Sequence, residues 1–137
     1  MSSLSTYEQQ NILKNLFQGV AFPTAPGTLY VALYTVAPTA AGGGTEVTGG
    51  GYGRVAVSSS TANWTLSNAS GGGQQVANAN QITFAQATAS WGTVVAASLL
   101  DASTGGNLVA WGATSSTAVG AGVTPFFAAG NLVVTVN

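Results

Sequence analysis

From Thr28 onward, glycine-rich breaks cut the chain into short runs of β-branched and aromatic residues, the pattern of a protein built from strands. Residues 28–35 alternate, with Leu29, Val31 and Leu33 on one face and Tyr30, Ala32 and Tyr34 on the other. Val55 and Val57 share a face in residues 54–58, Trp64 and Leu66 in the next run, and Ile82 and Phe84 in residues 81–85. Residues 93–100 are almost continuously apolar, which predicts a central strand covered on both faces. Residues 108–113 and 131–136 complete the set, and Pro125-Phe126-Phe127 adds a short edge segment, where proline is tolerated. Seven or eight short antiparallel strands predict a mainly β chain and a single β-sandwich over residues 28–137. The breaks at 40–44, 49–53, 70–73 and 105–106 have no fixed spacing, so they mark turns and not a repeat. No domain boundary is expected, and residues 1–137 read as one domain.

One helix precedes the strands. Ser5-Thr6-Tyr7-Glu8 has capping-box spacing, with Ser5 at the N-cap and Glu8 three residues on. Ile12, Leu13, Leu16, Phe17 and Val20 form one apolar stripe, while Gln10, Lys14 and Gln18 lie opposite. Gly19 supplies a stop and Pro23 prevents resumption, so the helix is expected over residues 5–19. Its stripe predicts docking, either onto one end of the chain's own sheet or onto a neighbouring subunit.

Charge narrows the function. Only Glu8, Lys14, Glu46, Arg54 and Asp101 are charged, and the chain has no His and no Cys. Soluble domains usually carry about 25% charged residues, against 4% here. Most catalytic mechanisms draw on His, Cys, Lys or paired carboxylates, and that inventory is nearly empty. Two cations neutralise at most about two phosphates, so no nucleic-acid partner is expected. Without Cys there are no disulfides or thiolate metal sites, and three scattered carboxylates make no recognisable metal cage. The longest strongly apolar run, residues 29–34, falls short of the roughly 18 needed for a spanning helix, and no membrane association is expected. The polar stretch from Glu8 to Asn11 breaks any secretory h-region, which predicts a protein made in a cytoplasm. A surface this poor in charge does little to resist self-association, so a homo-oligomer in a multi-copy assembly is the expected state.

The individual motifs favour structural roles. Gly51-Tyr52-Gly53-Arg54-Val55-Ala56 fits a dinucleotide fingerprint in letters only, because it leads into a strand where the fingerprint requires a helix; no cofactor is expected. Glu46 and Arg54 flank a glycine-rich stretch and are placed to pair across a hairpin. Asp101, ahead of Ala102-Ser103-Thr104-Gly105-Gly106, suits a turn in which it accepts backbone N–H bonds. Trp64 and Trp91 are candidates for core or subunit contact, and Leu16 and Phe17 for an interface. The Trp and Tyr residues among Asn-rich loops leave a glycan-binding module as a second alternative.

Residues 28–39, running Thr-Leu-Tyr-Val-Ala-Leu-Tyr-Thr-Val-Ala-Pro-Thr, and residues 43–54 resemble a family of small tailed-bacteriophage virion proteins. Ala89-Ser90-Trp91-Gly92-Thr93-Val94, the turn from Asp101 to Leu108, and Phe126-Phe127-Ala128-Ala129-Gly130-Asn131-Leu132 carry the same likeness, in the same order. Gly53 and the aliphatic residues 94–100 depart from the family's usual pattern. The resemblance implies a structural, tail-fibre-like or other particle component with no enzymatic activity and no cofactor. Its expected place is the virion, with the major capsid protein or tail subunits as partners. The short strands and adaptable glycine-rich loops favour a capsid decoration, or cement, protein; a tail or tail-fibre-associated protein is the alternative.

Overall fold

The computed structural model describes residues 2–136. In chain order the elements are β1 (Ser2–Leu4), α1 (Thr6–Gln18), β2 (Thr28–Val36), β3 (Thr45–Glu46), β4 (Val55–Ser58) and β5 (Trp64–Asn68). There follow β6 (Gln74–Asn78), β7 (Ile82–Thr83), β8 (Gly92–Leu100), β9 (Leu108–Val119), β10 (Phe126–Phe127) and β11 (Val133–Val136). The fold is mainly β and sandwich-like, with no closed barrel.

The larger sheet runs β3-β2-β8-β9-β1-β11-β6-β5, and β4 also pairs with β2. Two short strands therefore share one edge of β2: β4 along Thr28 to Val31, and β3 at Tyr34 and Val36. On its other edge β2 lies antiparallel to β8, with Leu33 opposite Ala97, and β8 in turn faces β9, with Leu99 opposite Ala110. The register of β8 and β9 shifts between Val94 and Ala96, the mark of a bulge that bends the longest strand. Phe127 of β10 pairs with Ile82 of β7 in a separate two-stranded ribbon.

The strand count exceeds the expected seven or eight, and the pairing is not wholly antiparallel. β1 lies between β9 and β11, with Ser2 opposite Gly112 on one side and parallel to β11 opposite Val134 on the other. Ser2-Ser3-Leu4 is too short to show alternation, yet it joins the β11-β6-β5 end of the sheet to the rest. β3 and β6 were also illegible, since both lie in or beside glycine-rich stretches.

Alternation places Val31, Leu33, Ala97, Leu99, Ala110 and Val134 on one face of the large sheet. They pack against Val47, just after β3, and against Ile82, Phe84, Ala87 and Trp91 from β7 and the stretch between β7 and β8. The opposite face of β2 and β8 buries Ala32, Tyr34, Ala96 and Leu100 as a second cluster. Ser98 and Tyr34 join their hydroxyls at 3.2 Å on that side. Burial on both faces accounts for the unbroken apolar run of β8.

α1 starts and stops where its capping residues dictate. The Ser5 hydroxyl accepts the Glu8 N–H at 3.2 Å, and Gly19, at φ 65°, donates its N–H to the Lys14 carbonyl. The Ser5 N–H is taken by the Val109 carbonyl at 2.9 Å, which continues the β1–β9 ladder into the cap. α1 rests on β1 and β9, but none of its residues is buried. Leu13, Leu16, Phe17 and Val20 all stand exposed, Phe17 by 80%. Of the two expected destinations for the stripe, the chain's own sheet does not cover it.

Candidate functional site

Three of the five charged side chains meet at one end of the sheet, around the turn between β8 and β9. Glu46 closes β3 and Arg54 immediately precedes β4; both strands pair with β2, so the two side chains converge. Arg54 Nε donates to Glu46 Oε1 and Nη2 to Oε2, each at 2.8 Å, a bidentate fork. Its Nη1 reaches across to the carbonyls of Ala102 at 2.7 Å and Gly105 at 2.9 Å. A single guanidinium thus ties β3, β4 and the β8–β9 turn together, a task suited to its planar set of donors. Asp101 fastens the same turn from inside: the Asn107 backbone N–H donates to Oδ1 at 2.6 Å and the Asn107 amide to Oδ2 at 2.9 Å.

Tyr52 links this polar cluster to the core. Its hydroxyl donates to Glu46 Oε1 at 2.8 Å and accepts the Leu33 N–H at 3.0 Å. Burial would push the Glu46 carboxyl up, but the hydrogen bonds from Arg54 and Tyr52 outweigh it and hold the group below the ordinary carboxylate value. Burial, reinforced by the neighbouring Glu46, pushes the Tyr52 hydroxyl well above the usual phenol range, so it stays a donor. The hydrogen bonds that Arg54 donates to Glu46 raise Arg54 in turn. A pinned anion, a pinned cation and a protonated phenol are the opposite of a poised acid–base pair. Glu8, in the first turn of α1, is raised chiefly by burial, with a further push from the Asp101 carboxylate.

Tyr52, Trp91, Phe84 and Phe127 form an interior spine, not an exposed platform. The Tyr52 ring meets Trp91 edge-on at 5.3 Å and stacks near Phe84 at 6.4 Å, and Phe84 meets Phe127 at 6.3 Å. Trp91 is buried, and its indole N–H donates to the Gly50 carbonyl at 2.9 Å. Gly50 sits at φ 57°, and a Cβ there would lie 2.9 Å from both the Trp91 ring and the Ala89 carbonyl. Only glycine fits this approach. Trp64 is half-buried on β5 and packs against the edge of the core, far in the sheet from Trp91.

Asn78 has a role that sequence reasoning missed. It is buried at the end of β6, where its amide donates to the carbonyls of Asn80 at 2.8 Å and Ala128 at 2.9 Å. Its Oδ1 accepts the Leu132 N–H at 2.8 Å. Nothing in an Asn-rich stretch distinguishes this residue from its exposed neighbours before the fold brings Ala128 and Leu132 to it.

Among the described residues, no group of three or more metal-ligating side chains gathers, and no helix is long and apolar enough to cross a membrane. One concave feature stands apart from the polar cluster. A cleft of about 590 Å³ opens between the far half of β9, the β10 segment and the start of β11. Leu33, Phe84 and Leu99 form its floor, and Val123 and Phe126 stand exposed at its rim. None of its described lining residues is charged.

Three charges committed to tying strands and a turn together, an aromatic spine in the interior and apolar groups left outside fit a structural β protein. The comparison with known families gives that class a place. Residues 3–135 match the family described as Podophage GP4 fiber I protein gp80. The chain belongs to this family and is a structural protein of a tailed-bacteriophage virion. No curated protein matches the sequence.

Proposed function

We propose that the chain is a non-enzymatic subunit of the phage's fibre apparatus, made in the host cytoplasm and built into the particle through contacts with other virion proteins and with copies of itself. The observation that carries this reading is the family match across residues 3–135, whose printed description is a fibre protein. Two features of the structure support assembly into a particle. The Glu46–Arg54–Tyr52 cluster acts as a clamp for strands and a turn, a structural use of its charges. A run of exposed apolar side chains on α1 suits a subunit that is covered when assembled. Glycan binding gains no support, because Trp91 lies in the core and Trp64 is packed at its edge.

Electron microscopy of intact particles labelled with an antibody to the chain tests the assignment. Density or label on the tail fibres is the expected result. Label distributed over the capsid would instead establish the decoration role, and unlabelled particles would remove the protein from the virion altogether.

A further inference from the structure

The short strand β1 occupies an interior slot of the large sheet. Ser3 and Leu4 lie antiparallel to β9, opposite Trp111 and Ala110, and Ser2 lies parallel to β11 opposite Val134. In the strand order β1 alone stands between β9 and β11, so an empty slot would leave both with bare edges. What holds the segment there is slight. From Ser3 to Gly27 only Ser5 is buried, and α1 contributes no buried side chain. The Ser5 N–H reaches the Val109 carbonyl at 2.9 Å and the Thr6 N–H the Ala40 carbonyl at 2.8 Å, both at the start of the helix. Beyond α1 the chain runs from Gly19 to Gly27 without helix or strand, exposed except for half-buried Pro26. Among the described residues, 21–26 form no hydrogen bond. Pro23 and Pro26 disfavour helical backbone at Phe22 and Ala25, so this strap is biased toward extension. Stretched at about 3.3 Å per residue, residues 19–27 reach as far as about 30 Å.

We propose that in the assembled protein the slot between β9 and β11 of one copy is filled by β1 of a second copy, carried across on its own strap. The occupant is given by the fold itself: Ser2–Leu4 is the segment whose backbone completes both ladders. Its strand pairing and the two bonds at the start of the helix are the same whichever copy supplies them. Exchange of an identical element therefore sacrifices none of these contacts. The strap loses no hydrogen bonds either, because residues 21–26 make none in the closed chain. With the contacts equal, local concentration decides between closure and exchange, and a subunit held beside its copies in a particle raises that concentration. Addition of a strand from another chain is an established mode of association, in which backbone hydrogen bonds supply the affinity. The inference rests on the chain being an assembled subunit, and it names the segment that joins one copy to the next.

Cysteine crosslinking tests the exchange, and the chain has no Cys of its own to interfere. Ser3→Cys and Trp111→Cys are placed in separate chains, unfolded together in urea, refolded at high micromolar concentration and oxidised. Leu4→Cys with Ala110→Cys provides a second matched pair on the same ladder, and a cooperative unfolding transition certifies that each single variant refolds. Ser3→Cys mixed with Ser103→Cys, on the exposed β8–β9 turn, is the off-register control. Thiols held opposite each other experience an effective concentration on the order of millimolar, so the disulfide-linked heterodimer is expected to exceed the control at least about tenfold. A matched pair that reaches this yield can do so only with β1 of one chain seated against β9 of another. If neither matched mixture crosslinks better than the control, β1 stays in its own chain and the exchange is overturned. That failure leaves the fibre assignment standing, because particle labelling decides it separately.

Discussion

Replacing Arg54 by Met is the sharpest test of the polar clamp. The guanidinium makes four hydrogen bonds of 2.7–2.9 Å, and the Arg54 and Glu46 side chains are only 9% and 24% exposed. Summing four charged hydrogen bonds at about 1.5–3 kcal/mol each would overshoot, because desolvation of the ion opposes them. Removing one partner of a buried pair costs about 3–5 kcal/mol, and the residual exposure of Glu46 lets water recover part of that. The expected loss is therefore about 3 kcal/mol, or a fall in Tm on the order of 10 °C for a chain of this length. Arg54→Lys keeps the charge but not the fork, and should lose about 2 kcal/mol. Glu46→Gln should lose about 1–2 kcal/mol, and the double variant should fall short of additivity by at least about 1 kcal/mol. Urea unfolding followed by tryptophan fluorescence, with the m-value held constant, measures all four. An Arg54→Met variant within about 0.5 kcal/mol of wild type, or a strictly additive double variant, refutes the clamp.

Three further outcomes are expected. The Glu46 carboxyl lies below its ordinary value, so its contribution is complete above about pH 4.5 and is lost as the pH falls through its folded value. The acid limb of a stability–pH curve should flatten in Glu46→Gln, a comparison that leaves the opposite-signed contribution of Glu8 in both proteins. Asn78→Ala removes three hydrogen bonds inside the fold and should cost about 3 kcal/mol by chemical unfolding, with faster amide exchange at Leu132. Gly50→Ala sets a Cβ against the Trp91 ring at a left-handed φ and should cost about 2–4 kcal/mol, with a changed Trp91 emission spectrum.

What could be read from the residues alone was local. Ser5 and Gly19 bounded the helix because a cap depends on groups within one turn of itself. Alternation marked β2, and an unbroken apolar run marked β8 as central, because side-chain direction in a strand depends only on position along it. The scarcity of charge excluded whole classes of chemistry before any fold was known. Tertiary structure decided everything that joins distant segments. It slid Ser2–Leu4 between β9 and β11, gave Asn78 its partners 50 and 54 residues away, and led Arg54 to carbonyls 48 and 51 residues on. It also left the helix stripe bare and opened a cleft on another part of the surface. Periodicity states that one face of a helix is apolar; whether anything in the same chain lies against that face depends on how the strands are ordered, which no local pattern encodes.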